Sequence, residues 1–119
     1  MKVLIAATKP ELTKPLCLFF QSRNVEPILV DCTKYHCTLS QLLNKETTSP
    51  LLQKPFANCL LVFDRIPDPF FDLLLNELKA EFPHTYFLKA ITTATNRNWT
   101  VQYLYKELLQ EVQAFQSMR

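Results

Sequence analysis

Apolar positions fall into two kinds of block along this chain. Short runs such as KVLIA (residues 2–6), apolar from Val3 on, and CLLVF (residues 59–63) alternate with longer segments in which apolar residues recur at helical spacing. Uninterrupted apolar runs suit strands covered on both faces, and the 3.6-residue period suits helices that cover them. The pattern predicts βαβαβαβα: a single three-layer α/β domain over residues 1–119, with a four-stranded, mainly parallel sheet. The strands are predicted at Lys2 to Ala6, Pro27 to Val30, Cys59 to Phe63 and Tyr86 to Ile91.

Helix starts are read from capping chemistry. Thr13 with Pro15 suggests the start of the first helix, which carries Leu16, Phe19 and Phe20 inward and ends around Asn24. Thr38-Leu-Ser-Gln41 has the spacing of a capping box and opens a short second helix. Asp68 with Pro69 begins a third, with Phe71, Leu75, Leu78 and Phe82 on one face and Pro83 as its stop. The fourth sets Val101, Leu104, Tyr105, Leu108, Leu109, Val112 and Phe115 against a polar side, with Asn98 as the expected cap.

Residues 47–57, TTSPLLQKPFA, read as a Pro/Thr linker joining βαβα halves at about 1–46 and 58–116. CTLSQLL and WTVQYLY take matching places in the two halves, a likeness loose enough to arise from shared periodicity as well as from duplication. Pro27 in the second strand and Lys89 in the fourth are easier to place at sheet edges, so the expected strand order is 2-1-3-4. That order sets a switch point between strands one and three, where open α/β sheets tend to bind ligands.

Composition narrows the chemistry. The chain has no glycine, which excludes the phosphate cradles of the P-loop and the dinucleotide fingerprint and moves the turns onto Pro, Asn, Asp and Thr. A net charge of +2 with scattered Lys and Arg argues against a nucleic-acid partner. No run is long enough for a membrane span and none at the start suits a secretory signal, so a cytoplasmic protein with no membrane role is expected. Cys17, Cys32, Cys37 and Cys59 are irregularly spaced and read as free thiols. DCTKYHC (residues 31–37) lacks a second ligand pair, so neither a metal site nor any other cofactor is expected.

The densest polar cluster is KAITTATNRNW, residues 89–99. It is expected to run off the fourth strand into the last helix, where Thr and Asn side chains satisfy first-turn amides and turn the chain without glycine. The same geometry offers a ligand-facing reading. Free first-turn amides and Arg97 would suit a small anion, and Trp99 would offer either a stacking surface or a ring packed on the sheet. The candidate binding residues are therefore Thr93, Thr95, Asn96, Arg97, Asn98 and Trp99, joined by Lys9, Asp64 and Arg65 at strand ends. Asp31 and Asp64 each follow a strand and are candidates for a general base, or simply for starting a turn. Lys89 interrupts a strand and is expected to lay its stem on Phe87 and Ile91 and reach water at the edge.

The string LKAITTATNRNW with the following TVQYLYKEL resembles the core of a small bacterial family known only as a domain of unknown function. Its members typically read Leu-Lys-Ala, two apolar or small residues, Thr-Pro-Thr-Asn, then a Trp opening an amphipathic helix. Lys89, Ala90, Thr93, Thr95, Asn96 and Trp99 match, and Ala94 stands where the family commonly has proline. The resemblance covers roughly residues 58–115 and implies no activity.

With no acid, base and nucleophile set in view, the expected function is a noncatalytic interaction or small-anion-binding module using the junction of strand four and helix four. The alternative is an enzyme acting on a phosphorylated or carboxylated metabolite, with Asp64 or Asp31 as base and Lys9 or Arg65 as clamp. A homo-oligomer is a further expectation, resting on Phe19, Phe20, Phe70 and Phe71.

Overall fold

The computed structural model describes residues 1–117, with side chains through residue 114. Phe115, counted on the apolar face of the last helix, lies outside the described side chains. The elements are β1 (Lys2–Ala6), α1 (Pro10–Gln21), β2 (Glu26–Leu29), α2 (Leu39–Leu43), β3 (Cys59–Asp64), α3 (Asp68–Glu81), β4 (Phe87–Ile91), a 3₁₀ turn (Asn96–Asn98) and α4 (Val101–Ser117). The strands form one sheet in the order β2-β1-β3-β4.

The sheet is mixed. β1 pairs in parallel with β2 and β3 in parallel with β4, but the central pair is antiparallel, with Lys2 opposite Asp64 and Ala6 opposite Leu60. Side chains alternate across it and divide the core. Val3, Ile5, Leu61 and Phe63 pack with α1 and α3 on one face. Leu4, Leu60, Val62 and Leu88 pack with α2 and α4 on the other. Residues 44–58 cross this second face without helix or strand, held where Phe56 stacks between Tyr35 and Tyr105 at centroid distances of 3.7 and 3.8 Å.

The antiparallel centre relates the halves by an approximate two-fold axis. Leu39 N–H donates to the Trp99 carbonyl and Val101 N–H donates to the Cys37 carbonyl, each at 3.0 Å, and Thr38 bridges Thr100. The matching stretches CTLSQLL and WTVQYLY thus meet across the axis at the starts of α2 and α4.

Several helix starts differ from the sequence reading. α1 begins at Pro10, a full turn before Thr13, so Pro15 sits inside the helix, and it ends at Gln21 rather than near Asn24. α3 is entered from Pro67, and Asp68 is already its first residue. The cap of α4 is Thr100, whose Oγ1 accepts from the Tyr103 N–H at 3.1 Å, and not Asn98. Thr38 forms the full predicted capping box with Gln41. Without glycine, left-handed backbone falls on Asn24, Lys45 and Arg65.

Candidate functional site

The chain leaves β4 through residues 92–100, and one asparagine shapes that turn. Asn96 is buried at 8% exposure. Its Oδ1 accepts from the Thr93 N–H at 2.7 Å, its Nδ2 donates to the Ile91 carbonyl at 3.0 Å, and its own N–H donates to Thr93 Oγ1 at 3.0 Å. Asn96 therefore fixes both ends of the turn. Thr93, Ala94, Thr95 and Asn98 are left exposed.

A second tie runs beneath. Asp64, at the end of β3, is only 4% exposed. Its Oδ1 accepts from Thr92 Oγ1 at 2.7 Å and from Arg97 Nη2 at 2.5 Å, while Arg65 Nε stands 4.0 Å from Oδ2. One carboxylate thus joins β3, the end of β4 and the 3₁₀ turn. A charge-assisted pair of this kind is strong where water is kept out. Asp64 and Arg97 are thus paired with each other.

The first turn of α4 is likewise occupied. Val101 N–H goes to the Cys37 carbonyl, Gln102 N–H to the Tyr35 carbonyl and Tyr103 N–H to Thr100 Oγ1. The free amides expected there for an anion are satisfied within the protein, two by the other half and one by the Thr100 cap. Trp99 is half-buried against the α2/α4 core and meets the exposed Tyr103 ring edge to face at 4.8 Å. That is the packed arrangement rather than the stacking one.

The antiparallel centre also dismantles the charged mouth expected at the switch point. The carboxyl ends of β3 and β4 lie at the amino end of β1, since Asp64 sits opposite Lys2. Lys9 follows the far end of β1 and shares a small polar hollow with Asn58 and His84. Asp31, beyond β2, also lies at that far end, where its Oδ1 accepts from the N–H and hydroxyl of Thr33. The Thr33 hydroxyl and amide, helped by Lys34, hold the Asp31 carboxyl below its ordinary range. Thr93, Thr95, Asn96, Arg97, Asn98, Trp99, Asp64 and Arg65 are brought together, and Lys9 and Asp31 stand apart from them.

One feature escaped sequence reasoning. Thr92 has no part in the sequence reading, and it binds Asp64; the parallel pairing expected of β3 with β4 already set the ends of these two strands side by side. Cys59 lies inside the sheet, where burial pushes its thiol up to about 12. That keeps it protonated and inert. Among the described residues, no three His, Cys, Asp or Glu side chains gather in a group that could hold a metal ion. None of the described helices is long and apolar enough to cross a membrane.

No curated protein and no solved structure matches this chain. A family model described as "Domain of unknown function (DUF3783)" matches residues 60–115, a span that takes in most of β3, α3, β4, the whole junction and most of α4.

Proposed function

We propose that this protein is a noncatalytic interaction module that offers the β4–α4 junction to a partner protein in the cytoplasm. The observation that carries the reading is the closure of the junction from within. Asn96, the Asp64–Arg97 pair and the first-turn amides of α4 are engaged inside the protein, so the polar groups left outward belong to a preformed turn. Thr93, Thr95 and Asn98 are exposed on that turn, and Tyr103 is 48% exposed nearby. A rigid polar turn beside an exposed aromatic favours protein recognition because little ordering entropy is lost on docking. The free thiols of Cys17, Cys32, Cys37 and Cys59 suit a reducing compartment.

A small anion is less well served, since Arg97 and the α4 amides are already committed. A base-catalysed reaction at Asp64 would first have to break its bonds to Thr92 and Arg97.

The test is a T93E/T95E variant, which alters two exposed side chains, gives up the bond from the Asn96 N–H to Thr93 Oγ1 and keeps both Asn96 side-chain ties, to the Thr93 N–H and the Ile91 carbonyl. With a matched thermal midpoint, it should lose proteins that the parent retains in quantitative crosslinking from the producing cells. Retention of the same proteins by both forms, or of none by the parent, overturns the proposal. Addition of inorganic phosphate should leave the Val101, Gln102 and Tyr103 amide resonances unmoved.

A further inference from the structure

The sheet has two edges, and they differ. On β2, Pro27 removes a backbone donor, and Glu26 pairs with Lys45 at 2.8 Å across the strand's start. Proline on an edge strand is a usual protection against strand addition, and β4 has only the charge of Lys89 in its place. β4 carries no proline. Thr92 N–H donates to the Phe63 carbonyl, so by strand alternation Leu88 and Ala90 bond toward β3, while Phe87, Lys89 and Ile91 turn their N–H and C=O groups outward. The outermost carbonyl in that row, Ile91, is taken by Asn96 Nδ2. Among the described residues the open row therefore ends at the junction described above and begins at Phe87.

Grooves flank this edge on both faces. On the α3 side a hollow of about 330 Å³ is floored by Leu75, Phe82 and Phe87 and bears Lys79 and Lys89, with no acidic residue among the described residues that line it. On the α4 side a hollow of about 250 Å³ is lined by Leu88, Leu108 and Val112, with Glu111 and the stem of the same Lys89 beside them. An added strand would send alternate side chains into the two grooves, one cationic and one mainly apolar.

We propose that β4 accepts an extended segment of a partner protein whose residues alternate between acidic and apolar, the acidic ones meeting Lys79 and Lys89 and the apolar ones meeting Leu88, Leu108 and Val112. This rests on the reading of the protein as an interaction module and extends the contact from the junction along the edge. Main-chain bonds to Phe87 and Lys89 supply pairing, and the two grooves supply choice of side chain. A second copy fits poorly, because antiparallel pairing of β4 with itself sets Lys89 opposite its own equivalent or within a step or two of it. Like charges placed so are destabilising.

The probes are acetylated, amidated heptapeptides alternating Glu with Val or Lys with Val, titrated against ¹⁵N-labelled protein. The Glu-Val peptide should shift the Phe87, Lys89 and Ile91 amides, more weakly as salt is added, and the Lys-Val peptide should bind at least about tenfold less well. K79E/K89E should reverse that preference. Lys89→Pro, which removes an outward donor without touching the β3 ladder, should abolish binding while the thermal midpoint stays close to the parent's. Equal binding of both peptides, shifts centred elsewhere, no shift at millimolar peptide, or concentration-dependent β4 broadening without peptide each overturns the assignment. If the peptides fail while T93E/T95E still loses its partners, only the edge assignment falls. If the peptides bind β4 but T93E/T95E loses nothing, the junction reading falls alone.

Discussion

The two strand-to-helix junctions, residues 30–38 and 92–100, meet across the approximate two-fold axis, yet they are held in different ways. In the first, the aspartate is exposed and its bonds are local, from Asp31 to Thr33. In the second, the aspartate comes from a neighbouring strand, is buried, and ties three segments together. The helix caps differ in the opposite sense. Thr38 has Gln41 three residues on to complete the box, whereas Thr100 has Tyr103 there, which cannot bond back. Equivalent places in one fold can thus be closed by local capping chemistry in one half and by a long-range ion pair in the other.

This contrast can be broken most severely at the ion pair. Arg97→Ala leaves the buried Asp64 carboxylate with only the exposed Arg65 near it, at 4.0 Å, and should lower stability by about 2–3 kcal/mol in urea unfolding, toward the cost of removing one partner of a buried pair. Asn96→Ala leaves the Thr93 amide and Ile91 carbonyl without their partners; because the turn lies near water, a loss of about 2 kcal/mol is expected by the same measurement. In the first junction, Thr38→Ala should cost about 1 kcal/mol through the lost cap.

Next to the second junction, Arg65 occupies left-handed backbone at φ 57° and is well exposed. Arg65→Gly should therefore raise the thermal midpoint, by the equivalent of about 0.5–1 kcal/mol after glycine's own entropy is set against the relieved strain. The smallest effect is expected at Asp31. Its carboxyl is lowered in the folded state, so its contribution is present above the ordinary carboxylate value of about 3.9 and is lost as pH falls through the lower folded value. Asp31→Asn should flatten the acid side of the stability profile only slightly, because the group is exposed and screened.

Much of this architecture is visible in the chain itself. β1 spans the residues expected from the KVLIA run, and the order 2-1-3-4 follows from Pro27 and Lys89 marking the edges. Lys89 is exposed on β4, as an interrupted apolar strand suggests. The direction of β3 was not visible, and the reason lies in residues 44–58. α2 ends where Lys2 Nζ donates to the Leu43 carbonyl, beside the start of β1, whereas Leu60 pairs with Ala6 at its other end. The connection therefore travels back along the sheet in irregular backbone. An irregular segment carries no period from which its course can be read. From that one unread direction came the separation of Lys9 and Asp31 from Asp64 and Arg65.

The junction was legible as a place and not as a state. Its Thr and Asn content marked a glycine-free turn into a helix, and Asn96 performs that work. That the α4 amides are already occupied depends on the Tyr35 and Cys37 carbonyls, more than sixty residues earlier. No local pattern encodes such a contact.

Native-state amide hydrogen exchange at Thr93, Val101 and Gln102 tests the closed junction most directly. All three donors should exchange slowly, Val101 and Gln102 close to the rate set by global unfolding, as expected of amides bonded within the protein. Exchange at Val101 and Gln102 as fast as that of the exposed turn residues Ala94 and Thr95 would contradict it and return the start of α4 to the free state that an anion requires.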